Sequence, residues 1–200
     1  MLKWGWLAVF FLVATWSAIG AKDTEIWWLE AGPALTGFIV IALTYKAFRL
    51  TPLLYILILL HMIVLFVGAH YTYAEVPFFD WLQHVFGQER NNFDKLGHFM
   101  QGLVPTLIAR EILLRKHVIN GQAWLNFFAG TFALALSAFY ELAEWLVALI
   151  SEEAAEAFLG TQGYVWDTQS DMGYALLGAI IALVFFTRLH DRQLKMTLDL

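Results

Sequence analysis

The 200-residue chain is strongly apolar, with 60% hydrophobic and only 14% charged residues. Soluble domains average about 25% charged residues, so this composition excludes an ordinary soluble globule and indicates an integral membrane protein. A net charge of −5 without a long basic run excludes a typical nucleic-acid-binding surface, and the absence of cysteine excludes disulfides, thiolate metal sites and a cysteine nucleophile.

Six apolar runs predict an all-α bundle of six transmembrane helices within a single integral membrane domain, residues 1–200. The first run could also be read as a signal peptide, because small residues at 17–21 resemble a cleavage site. We interpret it as the first membrane span. The predicted spans are residues 4–20, 26–45, 52–69, 94–116, 123–150 and 171–189.

Local signals along the chain refine this outline. Pro52 suits the first turn of the third helix, and residues 78–86 alternate aromatic and polar side chains, which favours a short helix at the membrane interface. Small residues give the fifth and sixth spans faces on which another helix can pack closely. Those residues are Gly130, Ala133 and Ser137 on the fifth span, and Ala175, Gly178, Ala179 and Ala182 on the sixth.

The basic residues predict the orientation of the bundle. If the N-terminus lies inside, nine Lys and Arg residues fall on the inner side and three on the outer side, as the positive-inside rule requires. We therefore expect a multi-pass protein of the bacterial plasma (inner) membrane with cytoplasmic N- and C-termini. The inner residues are Lys3, Lys46, Arg49, Arg110, Arg115, Lys116, Arg188, Arg192 and Lys195, and the outer ones are Lys22, Arg90 and Lys95.

Two carboxylates interrupt the apolar run of the fifth span. Glu141 and Glu144 are three residues apart and therefore share one helical face. An ionised carboxylate in hydrocarbon costs roughly 2.5 kcal/mol or more, and no helix-capping role explains either residue. The sequence therefore predicts polar partners for both on neighbouring helices.

Acidic and imidazole side chains occur at the same predicted depth on two other spans. Asp94 and His98 are four apart at the outer end of the fourth helix, and Asp167 and Asp171 are four apart at the outer start of the sixth. His70 ends the third helix on the same side. Taken alone, Asp94 and Asp171 could be anions favoured by a helix N-terminus, and a lone His98 could be a packing residue. His61, in mid-helix, is expected to be structural.

Together these residues predict one polar site that opens outward. Oxygen and imidazole ligands without thiolate suit Zn, Mn or non-haem Fe, so we expect a divalent metal to be bound by His98, Glu141, Glu144 and Asp171. Asp94 and Asp167 are expected to act as acid/base groups or to support the ligands. The structural alternative is polar contact between helices with no chemistry.

Three motifs resemble a known family. The segments Asp94–Gly102, Tyr140–Trp145 and Gly160–Met172 are similar to the YjdF family of bacterial inner-membrane proteins, from about the second helix to the end of the sixth. More distantly, Asp94, His98 and Asp171 with a later Gly178 are similar to VanZ-like membrane proteins, although Ala175 stands where that pattern usually has Asn. The resemblance implies a location and a set of motif residues, and no reaction.

The leading hypothesis is a small membrane enzyme, with or without assistance from a metal, that acts on a lipid or lipid-linked envelope component. Its expected partners are membrane lipids and not nucleic acid. A proton-coupled transporter could use the same carboxylates, although the sequence shows no inverted repeat. A non-catalytic accessory or assembly subunit is the third alternative.

Overall fold

In a computed structural model that describes residues 2–150 and 162–198, the described residues form a series of helices, most of them long. Within these two ranges there is no strand, which confirms the all-α prediction there. The acidic segment at 151–161 lies outside the described residues. The helices are α1 (Leu2–Ala18), α2 (Thr24–Thr44), α3 (Pro52–Tyr71), α4 (Pro77–Phe86), α5 (Phe93–Arg115), α6 (Gln122–Ile150), α7 (Asp167–Ile181) and α8 (Thr187–Leu198), with a π-helical turn at Ala182–Phe186 between the last two.

Within the described ranges, four helical segments are long and apolar enough to cross a membrane. They are α2, α3, α6 and the continuous unit Asp167–Met196, which joins α7 to α8 through the π-helical turn. The predicted spans at 4–20 and 94–116 are not in this set. The first forms a helix of only 17 residues, and the second, α5, carries charged side chains in its first and last turns.

The predicted start of the third span and the predicted short helix at 78–86 are both helical in the structure. Pro52 lies in the first turn of α3, and Asp23 caps α2 by accepting hydrogen bonds from the backbone N–H groups of Glu25 and Ile26. The expected interfacial segment is the helix α4, none of whose side chains is buried. Its exposed aromatic side chains suit the boundary between water and lipid.

An apolar core joins the first helices to α5. Phe10 of α1, Ala31 of α2, Leu54 and Phe66 of α3 and Leu107 of α5 are almost completely buried in one cluster. This core fixes α5 against the N-terminal half of the chain, and so determines which face of α5 is left for α6 and α7.

The tightest helix crossing joins α5 to α7. A Cβ atom on Gly102 would lie 1.8 Å from the Ala175 carbonyl oxygen, and one on Gly178 would lie 2.1 Å from the Phe99 carbonyl oxygen. The backbones therefore meet at two reciprocal points where only glycine fits. The small-residue face predicted on the sixth span is confirmed, since Ala175, Ala179 and Ala182 are buried. This crossing brings the N-terminal turns of α5 and α7 together.

A charged network lies at the other end of α5. Arg110 and Glu111 are both almost fully buried. Arg110 Nη1 donates to His190 Nδ1 at 3.0 Å, and His190 Nε2 donates to Glu111 Oε2 at 3.0 Å. Glu111 also accepts from the Thr51 hydroxyl at 2.9 Å. These bonds join the N-cap residue of α3 to α5 and α8, and they hold both charges of α5 inside the bundle.

Candidate functional site

The first turns of α5 present an aspartate and a histidine on one face. His98 is 5% exposed, and its Nε2 lies 3.3 Å from Asp94 Oδ1 because residues four apart are neighbours on a helix. The other ring nitrogen, Nδ1, donates to Gln101 Oε1 at 3.0 Å. Since an amide oxygen only accepts, Nδ1 carries the hydrogen of this bond, which fixes the ring with Nε2 towards the carboxyl groups.

Helix α6 adds a carboxylate to the same imidazole. Glu141 Oε1 lies 3.5 Å from His98 Nε2, and Glu141 is itself buried. Thr168 at the start of α7 neighbours the Glu141 carboxyl group. One imidazole nitrogen is therefore faced by carboxyl oxygens from two helices.

Helix α7 completes a group that could hold a metal ion. Asp94, His98 and Asp171 each offer a ligand atom, and these three atoms lie within 4.8 Å of one another. Asp171 is 2% exposed, and its Oδ1 has no hydrogen-bond partner among the described residues. A buried carboxyl oxygen without a partner carries a desolvation cost, and a cation would offset it. We call Asp94, His98, Glu141 and Asp171 the carboxylate–histidine cluster.

Asp167 is tied to this cluster through an arginine. The Arg90 guanidinium forms an ion pair with Asp167, and its Nη2 lies 3.7 Å from Asp94 Oδ2. Arg90 and Asp167 are both buried. Asp167 lies one helical turn before Asp171. It therefore holds the Arg90 guanidinium beside the cluster.

A large cavity adjoins the cluster on its other side. The α2–α6 cavity has a volume of about 1070 Å³ and lies between α2, α3, α5 and α6. Its polar end is formed by Glu30, Asp94, His98, Tyr140 and Glu144. The rest of its wall is mostly apolar and includes Val40, Ile41, Ile58, Val104, Ile108, Ile112, Phe132 and Leu136.

The structure thus divides the six predicted site residues by position. Asp94, His98, Glu141 and Asp171 form the cluster, and Asp167 joins it through Arg90. Glu144 is buried on the cavity wall, outside the group of three potential ligands. Their roles in catalysis or metal binding stay predictions.

Sequence reasoning did not select two residues on the cavity wall. Glu30 of α2 is 5% exposed, lines the polar end and lies next to the Tyr140 side chain. His61 of α3, expected to be structural, also lines the cavity. The signal for Glu30 was present, because a carboxylate two turns into an apolar span needs a partner as much as Glu141 does.

The remaining histidine of the prediction lies elsewhere. His70 Nδ1 is 2.9 Å from the Ser17 carbonyl oxygen, and its ring stacks on Trp16 with centroids 4.5 Å apart. His70 therefore joins the end of α3 to α1, away from the cluster.

Comparisons with known proteins give a consistent classification. Residues 2–192 match the family model described as "Predicted membrane protein (DUF2238)". The chain is 48% identical over 184 residues to the inner membrane protein YjdF of Escherichia coli (strain K12). The matched region covers 92% of this chain and 88% of that protein. No solved structure matches. These findings support the expected resemblance to YjdF, whereas the likeness to VanZ-like proteins stays a prediction.

Proposed function

We propose that this chain, which belongs to the DUF2238 family of membrane proteins, is an inner-membrane enzyme, assisted by a divalent metal, that acts on a lipid or lipid-linked envelope component. One observation carries the proposal: a buried cluster of potential metal ligands lies at the polar end of a large apolar cavity. A substrate with a polar head and an apolar chain matches both parts of that site.

The spacing of the cluster suits a metal centre. Two ligand atoms that each lie about 2.1 Å from a zinc ion in tetrahedral geometry are about 3.4 Å apart. His98 Nε2 lies 3.3 Å from Asp94 Oδ1 and 3.5 Å from Glu141 Oε1. Asp94, His98 and Asp171, with Glu141 beside them, would hold Zn, Mn or Fe. The ion would polarise an oxygen of the substrate headgroup.

The carboxyl groups on the cavity wall complete the proposed chemistry. Glu144 and Glu30 face the space where a headgroup would lie, on helices that flank it from opposite sides. We assign to them the transfer of protons to and from the substrate. Asp167 keeps Arg90 beside the cluster, where the guanidinium balances part of its negative charge.

The proposal includes six membrane crossings with both termini in the cytoplasm. Helix α1 is about 25 Å long, close to the thickness of the hydrocarbon layer. Helix α5 keeps Asp94, Arg110 and Glu111 inside the protein, so these charges do not face lipid. The nine-to-three distribution of basic residues supports the orientation.

Single cysteines can test this topology, because the chain has none of its own. We expect Glu89→Cys to react with a membrane-impermeant maleimide added outside intact cells, and Gln122→Cys to react only after the cells are permeabilised. Both positions are exposed, one before α5 and one after it. If α5 did not cross the membrane, the two cysteines would react alike.

The metal is tested by elemental analysis of protein purified without chelators. We expect about one divalent ion per wild-type chain and loss of the ion in His98→Ala, because His98 supplies the nitrogen ligand. His84→Ala is the matched control, since His84 is exposed on α4. A wild-type protein without metal, or an unchanged content in His98→Ala, would refute the metal centre.

The same preparations can be reconstituted in vesicles of bacterial polar lipids and followed by mass spectrometry. Wild-type protein should deplete one lipid class, and Glu144→Gln should abolish this depletion while it retains the metal.

A proton-coupled transporter is the second candidate function. The observation that favours it is the continuity of the cavity from Glu30, through His61 in mid-helix, to Lys116 at the other end of α5. Proton flux into vesicles that disappears in Glu144→Gln, without any change in the lipids, would support this function over the enzyme. An accessory or assembly role would instead leave both measurements negative.

A further inference from the structure

We infer that the α2–α6 cavity binds the hydrocarbon chain of a membrane lipid with an amine-bearing headgroup, which enters sideways from the bilayer between α2 and α6. This inference extends the proposed function, and it rests on that function for any reaction of the headgroup. The binding itself can be tested whether or not the protein is an enzyme.

The cavity has the length that a lipid chain requires. From His98 to Ile112, both on its wall, α5 rises about 21 Å at 1.5 Å per residue. Half of a hydrocarbon layer is about 15 Å thick, so the cavity can take a chain as extended as those in one leaflet. Beyond the polar end its wall on α5 is mainly aliphatic, with Val104, Pro105 and Ile108.

The opening faces the position of the lipids. Helix α2 packs chiefly on α3, and α6 packs on α5 and α7, so among the described residues α2 and α6 make few contacts with each other. Side chains of the cavity wall remain exposed at this gap, with Val40 54%, Phe132 51% and Phe139 69% accessible. Because α2 and α6 are both candidate membrane spans, the gap between them opens towards lipid.

The polar end determines which occupant fits. Glu30, Asp94 and Glu144 place three carboxyl groups on the wall there. An apolar helix of a second protein would cover these groups and offer them no further hydrogen-bond donor, which is unfavourable for buried polar atoms. A lipid headgroup with an ammonium offers both hydrogen-bond donors and the complementary charge.

Photolabelling can test the inference with phosphatidylethanolamine that carries a diazirine at the end of one acyl chain. Wild-type protein in vesicles of phosphatidylethanolamine and phosphatidylglycerol should be labelled on the cavity faces of α2 and α5. Ile108→Trp fills the cavity and should reduce this labelling roughly tenfold, which corresponds to an overpacking penalty near the low end of its usual range. Ile180→Trp is the matched control, because Ile180 is exposed on α7 and is not on the cavity wall.

Two further comparisons make the outcome decisive. If Ile108→Trp does not fold, Leu136→Trp on α6 should reduce labelling in the same way, with Leu177→Trp as its exposed control. The same probe built on phosphatidylglycerol should label the cavity several-fold less. Labelling confined to the outer surface, or unaffected by both tryptophans, would overturn chain binding, and equal labelling by both probes would overturn the amine preference.

The two proposals can fail separately. Chain binding should persist in His98→Ala, because His98 lies at the polar end and the chain lies beyond it. Cavity labelling in a protein without metal would refute the metal centre and retain lipid binding. A protein that contains metal but shows no cavity labelling would support the metal centre and refute lipid binding.

Discussion

Gly178→Ala is expected to destabilise the protein by about 3 kcal/mol or more, a large effect for one added methyl group. The new Cβ would lie 2.1 Å from the Phe99 carbonyl oxygen and 2.9 Å from the Leu103 nitrogen, both of them backbone atoms of α5. A backbone cannot rotate away as a side chain can, so the two helices must move apart. Alanine is the better helix former by about 1 kcal/mol, which is too little to offset this separation.

Gly173→Ala is the control for the first prediction. Gly173 lies on the same helix, and its added Cβ would meet nothing within 4 Å. This variant should therefore gain up to about 1 kcal/mol from helix propensity alone. The free energy of unfolding of both variants can be measured by denaturant titration in mixed micelles. Equal stabilities would show that the α5–α7 crossing is not close-packed.

The α5–α7 crossing also positions the cluster. Asp171 lies two turns before Gly178 on α7, and His98 is one residue before Phe99 on α5. A separation at the crossing would move Asp171 away from His98 and widen the group of potential ligands. We therefore expect Gly178→Ala to weaken metal binding as well, although it touches no ligand.

Local patterns explain why much of this fold is predictable from sequence. Helices follow from apolar runs and from start signals such as Pro52, and side chains four apart, such as Asp94 and His98, must share a face. The small residues around Gly178 likewise indicate a close helix contact before any partner is known. Each inference uses one helix only.

The other parts of the site depend on contacts between helices. Arg110 and Glu111 look like the ordinary charged end of a span, yet they are buried because His190, about eighty residues later, binds both. Glu30 appears isolated in α2 until α6 brings Tyr140 and Glu144 to the same cavity. The sequence of one helix shows where along its length a residue lies. It does not show which side chains of other helices contact that residue.

Asp171→Asn is expected to stabilise the metal-free protein by about 1–3 kcal/mol, in contrast to most substitutions of buried polar residues. Asp171 is buried, one of its oxygens has no hydrogen-bond partner among the described residues, and beside His98 its neighbours include the carboxyl groups of Asp94, Glu141 and Asp167. Asparagine keeps the shape of the side chain, removes a repelling charge and adds a hydrogen-bond donor. Electrostatic repulsion within the metal-free site should therefore decrease.

Added metal should make the wild-type protein more stable than Asp171→Asn. Loss of a ligand carboxylate should weaken binding by at least roughly 100-fold, the upper range seen for residues that only support ligands. Wild-type protein at a metal concentration of 100 times its Kd gains about 2.7 kcal/mol, which Asp171→Asn would not share. Unfolding should be measured with a chelator and then with added Zn²⁺ or Mn²⁺.

The control for this prediction is Asp23→Asn, the same change at an exposed helix cap, where the two residues are almost equivalent. It should alter stability little, with or without metal. If Asp171 serves only as polar contact between helices, Asp171→Asn should instead destabilise the protein equally under both conditions. The sign of the change in the free energy of unfolding without metal thus distinguishes carboxylates that serve metal binding from carboxylates that serve helix packing.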